Sequence, residues 1–341
     1  TGLNEVSCGD IIKNGKIIKN AEKYTMISAL QSKVNILDGT DSNKVMECLK
    51  ILENQEPMLR TEYIKQTNEI VVSVIQLEVL QEILSTRFGI SATFEKPEVQ
   101  YRETVAKTVV GYGHYEPLRH YAEVVLEIAP AERNSGITFD STVHIDVLSA
   151  NYQALVKTHI FEKQHKGILT GSPLTDVKIT LINGRAHLKH TEGGDFRQAT
   201  YRAIRQGLEK AENVILEPFY AFEIYAGEEY AGRIMTDIQR LRGSFEPPVQ
   251  MGNTYKIKGR GPVETFMDYQ EELLSFTKGT GSIVMTVDGY EKCEIADEVI
   301  EKINYNKGED KENTSCSVFC SHGAGFTVNW DESESYMHTL K

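Results

Sequence analysis

The chain has 341 residues, 40% hydrophobic and 25% charged, with 37 Lys and Arg against 49 Asp and Glu for a formal net charge of −12. That length supports several domains with their own cores, and the composition is that of an ordinary globular protein, so disorder is not the default. Apolar runs fall short of the roughly 20 residues a membrane span needs, and the first residues lack a basic and apolar signal pattern, so a cytoplasmic setting and no membrane partner are expected.

Residues 1–20 place Gly2 and Gly9-Asp10 around short apolar pieces and are expected to be the last hairpin of a domain whose start is absent. From Ala29 to Phe94 the periodicities alternate. An apolar stretch ends at Val34 and Ile36-Leu37, and a helix capped by Asp41/Ser42 carries Val45, Leu49 and Leu52. Ile70, Val72 and Val74 alternate as a strand, then Leu77, Leu80, Ile83 and Leu84 return to helical spacing before a Gly89 stop. This is the split βαβ order. It repeats from about Phe219 to Val287: Tyr220, Phe222 and Ile224 alternate, and Ile234, Ile238 and Leu241 form a helical stripe closed by Gly243. Phe266, Leu273 and Phe276 mark a second helix, and 283–287 a last strand. Between the two copies, strands are expected at Ala122–Ile128 and Asp176–Ile182 and helices near Tyr152–Glu162 and Phe196–Ala211. Asp195 and Gln198 read as a capping box, and Gly193-Gly194 as the sharp turn before the last helix.

The middle module is the basic one. Residues 151–210 hold ten Lys/Arg (157, 163, 166, 178, 185, 189, 197, 202, 205, 210) against five acids (162, 176, 192, 195, 209), a local +5, together with His159, His165, His187 and His190. A strand-to-helix loop, His187-Leu188-Lys189-His190-Thr191, lies on it. A second, Gly-containing loop is expected to supply Tyr112, His114, Tyr115, Arg119 and His120. Cations suit phosphates, and aromatic or imidazole faces suit unpaired bases, so both loops are candidate RNA contacts. The competing reading is a solvated charged face with incidental histidines.

Catalytic chemistry finds little support. There is no Gly-x4-Gly-Lys-Ser/Thr phosphate loop, and Gly279-Thr280-Gly281 lies after a helix and before a strand, the wrong order for a dinucleotide fingerprint. Lys258-Gly259-Arg260-Gly261 could touch phosphate as a basic turn, but a simple connection between strand and helix is favoured. No nucleophile, base and orienter fall at a recognisable spacing. The five cysteines (Cys8, Cys48, Cys293, Cys316, Cys320) are odd in number and scattered, so reduced thiols are expected. Cys316, Cys320 and His322 could open a metal or thiol-dependent site, but a fourth ligand at structural spacing is lacking, and a tail strand with Cys316, Val318 and Cys320 packed inward is favoured. No catalytic, cofactor or metal residues are therefore assigned. Ser321 to Gly325 reads as a tight turn.

Three stretches carry a resemblance. Lys96-Pro97-Glu98-Val99-Gln100-Tyr101-Arg102-Glu103-Thr104 resembles the junction between the third and fourth domains of elongation factor G. Leu216-Glu217-Pro218, then Glu228-Glu229-Tyr230-x-Gly232, Asp237 and Arg240-x-Arg242-Gly243, resembles the opening of that factor's fifth domain. Gly171 to Phe196 is similar to the last strand and tip loop of the fourth. Within this superfamily the sequence looks closest to the tetracycline-resistance ribosomal protection proteins. The resemblance implies an α+β chain with two ferredoxin-like split βαβ modules flanking a module like domain 2 of ribosomal protein S5. The implied domains are 1–20 (end of the domain II barrel), 21–102 (domain III), 103–213 (domain IV), 214–290 (domain V) and 291–341 (an irregular tail).

It also implies a ribosome-binding portion of a translational GTPase, with GTP and Mg2+ in an N-terminal domain missing here and no enzyme activity in this chain. The partner would be the ribosome, mainly small-subunit RNA at a tRNA-vacant decoding region, and a monomer is expected. His187 falls where elongation factor G carries a tip histidine. The protection proteins carry a Tyr-Ser-Pro-Val-like tip where this chain has His187-Leu188-Lys189-His190. The alternative is therefore a translocation-like or ribosome-associated RNA-binding factor without a drug-protection role.

Overall fold

The computed structural model describes residues 11–13, 16–18, 29–56, 59–64, 69–73 and 77–340. The chain divides into two units, 1–100 with 218–288 and 101–217 with 289–341. Strands β1 (Ile11–Lys13) and β2 (Lys16–Ile18) form an antiparallel hairpin pairing Ile11 with Ile18; the rest of the hairpin expected over 1–20 lies outside the described residues.

The first module runs β3 (Leu30–Ile36), α1 (Ser42–Glu53), β4 (Thr61–Ile64), β5 (Glu69–Ser73), α2 (Leu77–Phe88), β6 (Ala92–Phe94) and a short β7 (Glu98–Val99). Its sheet order, β4-β5-β3-β6, is that of a ferredoxin-like split βαβ. The sequence signals act as expected. The Asp41 carboxylate accepts the Asn43 amide at 2.7 Å, and Gly89 takes φ +66°, a left-handed turn that only glycine adopts without cost, to end α2. Val45, Leu49, Ile70, Val72, Leu80 and Leu84 form the core.

The middle module follows with β8 (Arg102–Val105), β9 (Val109–Tyr115), β10 (Ala122–Pro130), β11 (Ile137–Ser141), α3 (Ala150–Phe161), β12 (Val177–Ala186) and α4 (Gly193–Lys210). Inward residues of β10 and β12 (Val124, Leu126, Ile128, Ile179, Leu181) pack against Val156, Ile160, Phe196, Ala203 and Leu208 of the helices. Gly111 and Gly113 lie inside β9, not in a loop. A Cβ on Gly111 would stand 2.0 Å from the Ala203 carbonyl oxygen, and one on Gly113 1.9 Å from that of Ala199. These glycines bring α4 directly onto the strand. Gly193 and Gly194 are the first turn of α4 rather than the loop before it.

The second ferredoxin-like module is β13 (Asn213–Gly227), α5 (Glu228–Arg240), β14 (Ser244–Phe245), β15 (Val249–Met251), β16 (Thr254–Pro262), α6 (Val263–Phe266), α7 (Tyr269–Phe276) and β17 (Ser282–Lys292), with sheet order β14-β16-β13-β17. Lys258-Gly259-Arg260-Gly261 sits within β16, which corrects its reading as a connection. A Cβ on Gly259 would meet the Ser244 carbonyl at 2.2 Å, and one on Gly261 would meet the Phe266 ring at 2.1 Å. Arg242, at φ +60°, turns the chain after α5, while Gly243 makes room for Phe266.

The C-terminal segment, expected to be irregular, carries α8 (Ala296–Ile303), the hairpin β18 (Ser317–Ser321) and β19 (Ala324–Val328), and α9 (Ser333–Tyr336). The hairpin extends the middle module's sheet to the order β11-β12-β10-β9-β18-β19. His322 and Gly323, at φ +51° and +82°, make its tight turn. The inward register is one residue from that expected. Ser317 and Phe319 are buried, whereas Cys316 and Cys320 are only partly so. Phe319, Val328 and Met337 close a second small core on Tyr112 and Val125, on the sheet face opposite the helices.

Candidate nucleic-acid interface

The antiparallel registers Tyr115↔Ala122 and Ala122↔Ala186 bring two connections to one end of the middle module's sheet: residues 116–121 between β9 and β10, and 187–192 between β12 and α4. The second is tied in place. The His187 amide donates to Thr191 Oγ1 at 2.7 Å, and that hydroxyl donates to the Tyr121 carbonyl at 2.6 Å. The Lys189 amide donates to His187 Nδ1, and the His190 and Thr191 amides return to the His187 carbonyl. The His187 and His190 rings stack at 4.6 Å and 20°. His187, Lys189 and His190 are exposed, and Leu188 at the apex is wholly so. Thr191, half-buried, is the fastener rather than a contact surface.

Asp195, the third residue of α4 and 3% exposed, joins the loops. Its carboxylate accepts the Glu192 amide at 2.9 Å, the Tyr121 amide at 3.3 Å and faces His120 Nδ1 at 2.8 Å. Asp195 caps α4 as its third residue, paired with Glu192, which corrects the box expected between Asp195 and Gln198, and it also organises the 116–121 connection, where Arg119 adopts φ +64° and, with Leu118, is exposed. Two connections held by one buried carboxylate and one hydroxyl form a preorganised tip.

The other assigned residues fall elsewhere. Tyr112 and His114 are buried on β9, facing the C-terminal segment, so neither is a loop contact. Tyr115 ends the same strand, packs on the main core and carries the Arg202 guanidinium over its ring at 5.1 Å. The error has one cause: Gly111 and Gly113 signalled a loop, whereas they serve the approach of α4.

Much of the module's positive charge is also used internally. Lys163 bonds Asn313 and lies over Tyr201, Lys178 pairs with Asp140, Arg197 with Glu162 and Lys210 with Glu334. Arg205 donates to the Lys166 and Gly167 carbonyls. Glu162, which also accepts from Tyr201 and faces His159, is held at about 2, because these hydrogen bonds outweigh the rise that burial would cause. Lys189 has no ion-pair partner among the described residues. Of the ten cations counted over 151–210, Lys189 and Arg185 stand exposed at the tip, where Arg119 from the neighbouring connection joins them beside the imidazole pair. That arrangement can hold phosphate and stack a base.

Sequence reasoning missed Asp195 and Tyr121 as organisers, because their partners are 70 or more residues distant. It also missed a cluster of the buried His114 and Glu123 with the half-buried His338.

The family described as "Elongation factor G, domain IV" matches residues 97–212, and "Elongation factor G C-terminus" matches 214–309. The chain is 29% identical over 299 residues to "Tetracycline resistance protein TetP" of Clostridium perfringens, covering 86% of this chain and 45% of that protein. It is 31% identical over 262 residues to "Elongation factor G-like protein" of Thermotoga maritima, covering 74% of this chain and 38% of that one. A solved structure of a Thermus thermophilus protein superposes with a TM-score of 0.64 at 25% identity, covering 82% of this chain and 43% of that one. The chain thus spans less than half the length of each of these relatives.

Proposed function

Because the chain belongs to the elongation factor G superfamily, carrying its domain IV and C-terminal modules, we propose that it is the ribosome-binding portion of a translational GTPase of the ribosomal protection type. Its contribution is recognition. The tip of the middle module contacts small-subunit RNA near the decoding region, and GTP and Mg2+ act in a separate module of the parent protein. The observation that carries this reading is the preorganised tip, in which Leu188, Lys189 and the stacked His187 and His190 stand exposed on a loop fixed by Thr191 and Asp195.

The protection role rests on the similarity to TetP across most of the chain. A translocation-like role is the second reading, favoured by the basic, proline-free tip. Unlike a flexible basic loop, this tip is tied to the sheet, so its apolar apex can be presented in one position.

Binding through phosphates releases counterions and is salt-sensitive. Cosedimentation with ribosomes is expected to weaken as salt rises, and to weaken further when His187, Lys189 and His190 are replaced together by Ala. Salt-independent binding, or binding indifferent to the triple replacement, contradicts the tip assignment. Restoration of translation in the presence of tetracycline by the parent protein separates protection from a translocation-like role.

A further inference from the structure

The sheet face beneath the C-terminal segment holds a constellation that the recognition function does not use. His114 of β9 and Glu123 of β10 are direct cross-strand partners, and both are fully buried. From the C-terminal segment comes His338, whose amide donates to Glu123 Oε2 at 2.9 Å while the Thr339 amide donates to Oε1 at 2.6 Å. One ligand atom from each of His114, Glu123 and His338 lies within 4.8 Å of the others.

The remaining ring nitrogens are engaged in the manner that metal-binding imidazoles require. His114 Nε2 stands 3.1 Å from Glu116 Oε2, and His338 Nδ1 stands 3.0 Å from the Tyr121 hydroxyl. Such outer partners fix the tautomer and turn the opposite nitrogen's lone pair toward a cation. For His114 that nitrogen is Nδ1, 2.8 Å from Glu123 Oε2. The surroundings are apolar and aromatic: Phe319 stacks on His114 at 4.1 Å and 9°, Tyr121 meets it edge-on at 5.3 Å, and Met337 is wholly buried. Two carboxylates flank one imidazole there, an arrangement that calls for a compensating positive charge.

We propose that His114, Glu123 and His338 form a site for a divalent cation of the zinc class, which pins the C-terminal segment to the middle module's sheet. Two imidazoles and one carboxylate are a recurrent zinc ligand set, and a fourth position remains for water. In this arrangement His114 is neutral, with Nδ1 on the cation and Nε2–H donating to Glu116. Bonds of about 2.1 Å place tetrahedral ligand atoms about 3.4 Å apart, so on binding a cation His114 Nδ1 and Glu123 Oε2 separate from 2.8 Å while the wider pairs of the set, all within 4.8 Å, close. The rival arrangement puts a proton on His114 in place of the cation, leaving an ordinary buried hydrogen-bonded ion pair.

The test titrates Co2+ and Zn2+ into the demetallated chain in a background of H187A, H190A, C316S and C320S, which removes the exposed imidazole pair and the partly buried thiols. One Co2+ per chain with the visible absorption of a four-coordinate site, displaced by Zn2+, is expected. Affinity should fall at least about 10-fold to 100-fold in H338Q, a change that leaves both amide bonds to Glu123 available, and in E123Q, while H322Q binds as the parent does. Near-UV circular dichroism checks that the variants remain folded. Absence of stoichiometric binding, or binding unchanged in a folded H338Q variant, overturns the proposal in favour of the protonated pair.

Discussion

Replacing Thr191 by Val keeps the shape of the side chain and removes one atom, Oγ1, which accepts from the His187 amide at 2.7 Å and donates to the Tyr121 carbonyl at 2.6 Å. Each such bond is worth about 0.5–1.5 kcal/mol net, so the loop's closed form loses about 1–3 kcal/mol. That corresponds to a roughly 5-fold to 150-fold rise in the opening equilibrium of residues 187–191. Native-state hydrogen exchange reads this directly. The His187 amide should exchange faster by that factor, while amides of the β10–β12 ladder keep their rates, because local and global opening are distinct. Ribosome affinity should fall by no more than the same factor, as the binding-competent fraction declines. An unchanged His187 amide, or an equal acceleration throughout the sheet, refutes the view that Thr191 fastens the tip.

Gly113→Ala places a Cβ 1.9 Å from the Ala199 carbonyl and 2.5 Å from the Ala203 nitrogen, both backbone atoms. A loss of about 3 kcal/mol or more is expected from such overpacking, against about 1–2 kcal/mol for Gly136→Ala, where φ is +68° but space is open. Urea midpoints at constant m check the order, and equal losses contradict the packing role of Gly113. Burial, with the nearby Lys163, holds His165 at about 4, below its ordinary 6.5. The unfolded chain therefore takes up this proton first as pH falls, and stability is lost between about 6.5 and 4, reaching about 2 kcal/mol by pH 5 and about 3 kcal/mol in total. His165→Gln should flatten that part of the stability profile, and an unaltered slope contradicts it. Phe319→Ala removes the ring that closes the second core on His114 and Tyr112. It should free the C-terminal segment to proteolysis beyond residue 310 while the first core stays folded; resistance equal to the parent's contradicts the docking role of Phe319.

The two split βαβ orders were legible because their signals are local. Asp41 caps, Gly89 terminates, and the 3.6 and 2 periodicities switch where the elements change. Glycine was the main source of error. At Gly111, Gly113, Gly259 and Gly261 the residue is required by what lies across the sheet, and a sequence cannot distinguish that need from a turn. The C-terminal hairpin was missed by one residue of register, since Ser317 alternates with Phe319 as plausibly as Cys316 does with Val318 and Cys320. The tip loop was found because Lys189 and three neighbouring polar or imidazole groups precede a helix start. Its organiser Asp195 was not, because its contacts with 120 and 121 are long-range, and the cluster of His338 with 114 and 123 was missed for the same reason.

The central claim is that the 187–191 tip meets small-subunit RNA. Directed hydroxyl-radical probing tests it, with iron tethered at Leu188→Cys or, at the opposite end of the sheet, at Glu132→Cys, in a background where Cys8, Cys316 and Cys320 are Ser. Ribosome-bound chain should cleave small-subunit RNA near the decoding region from position 188 and not from 132. Cleavage absent from 188, or the same from both positions, contradicts the account.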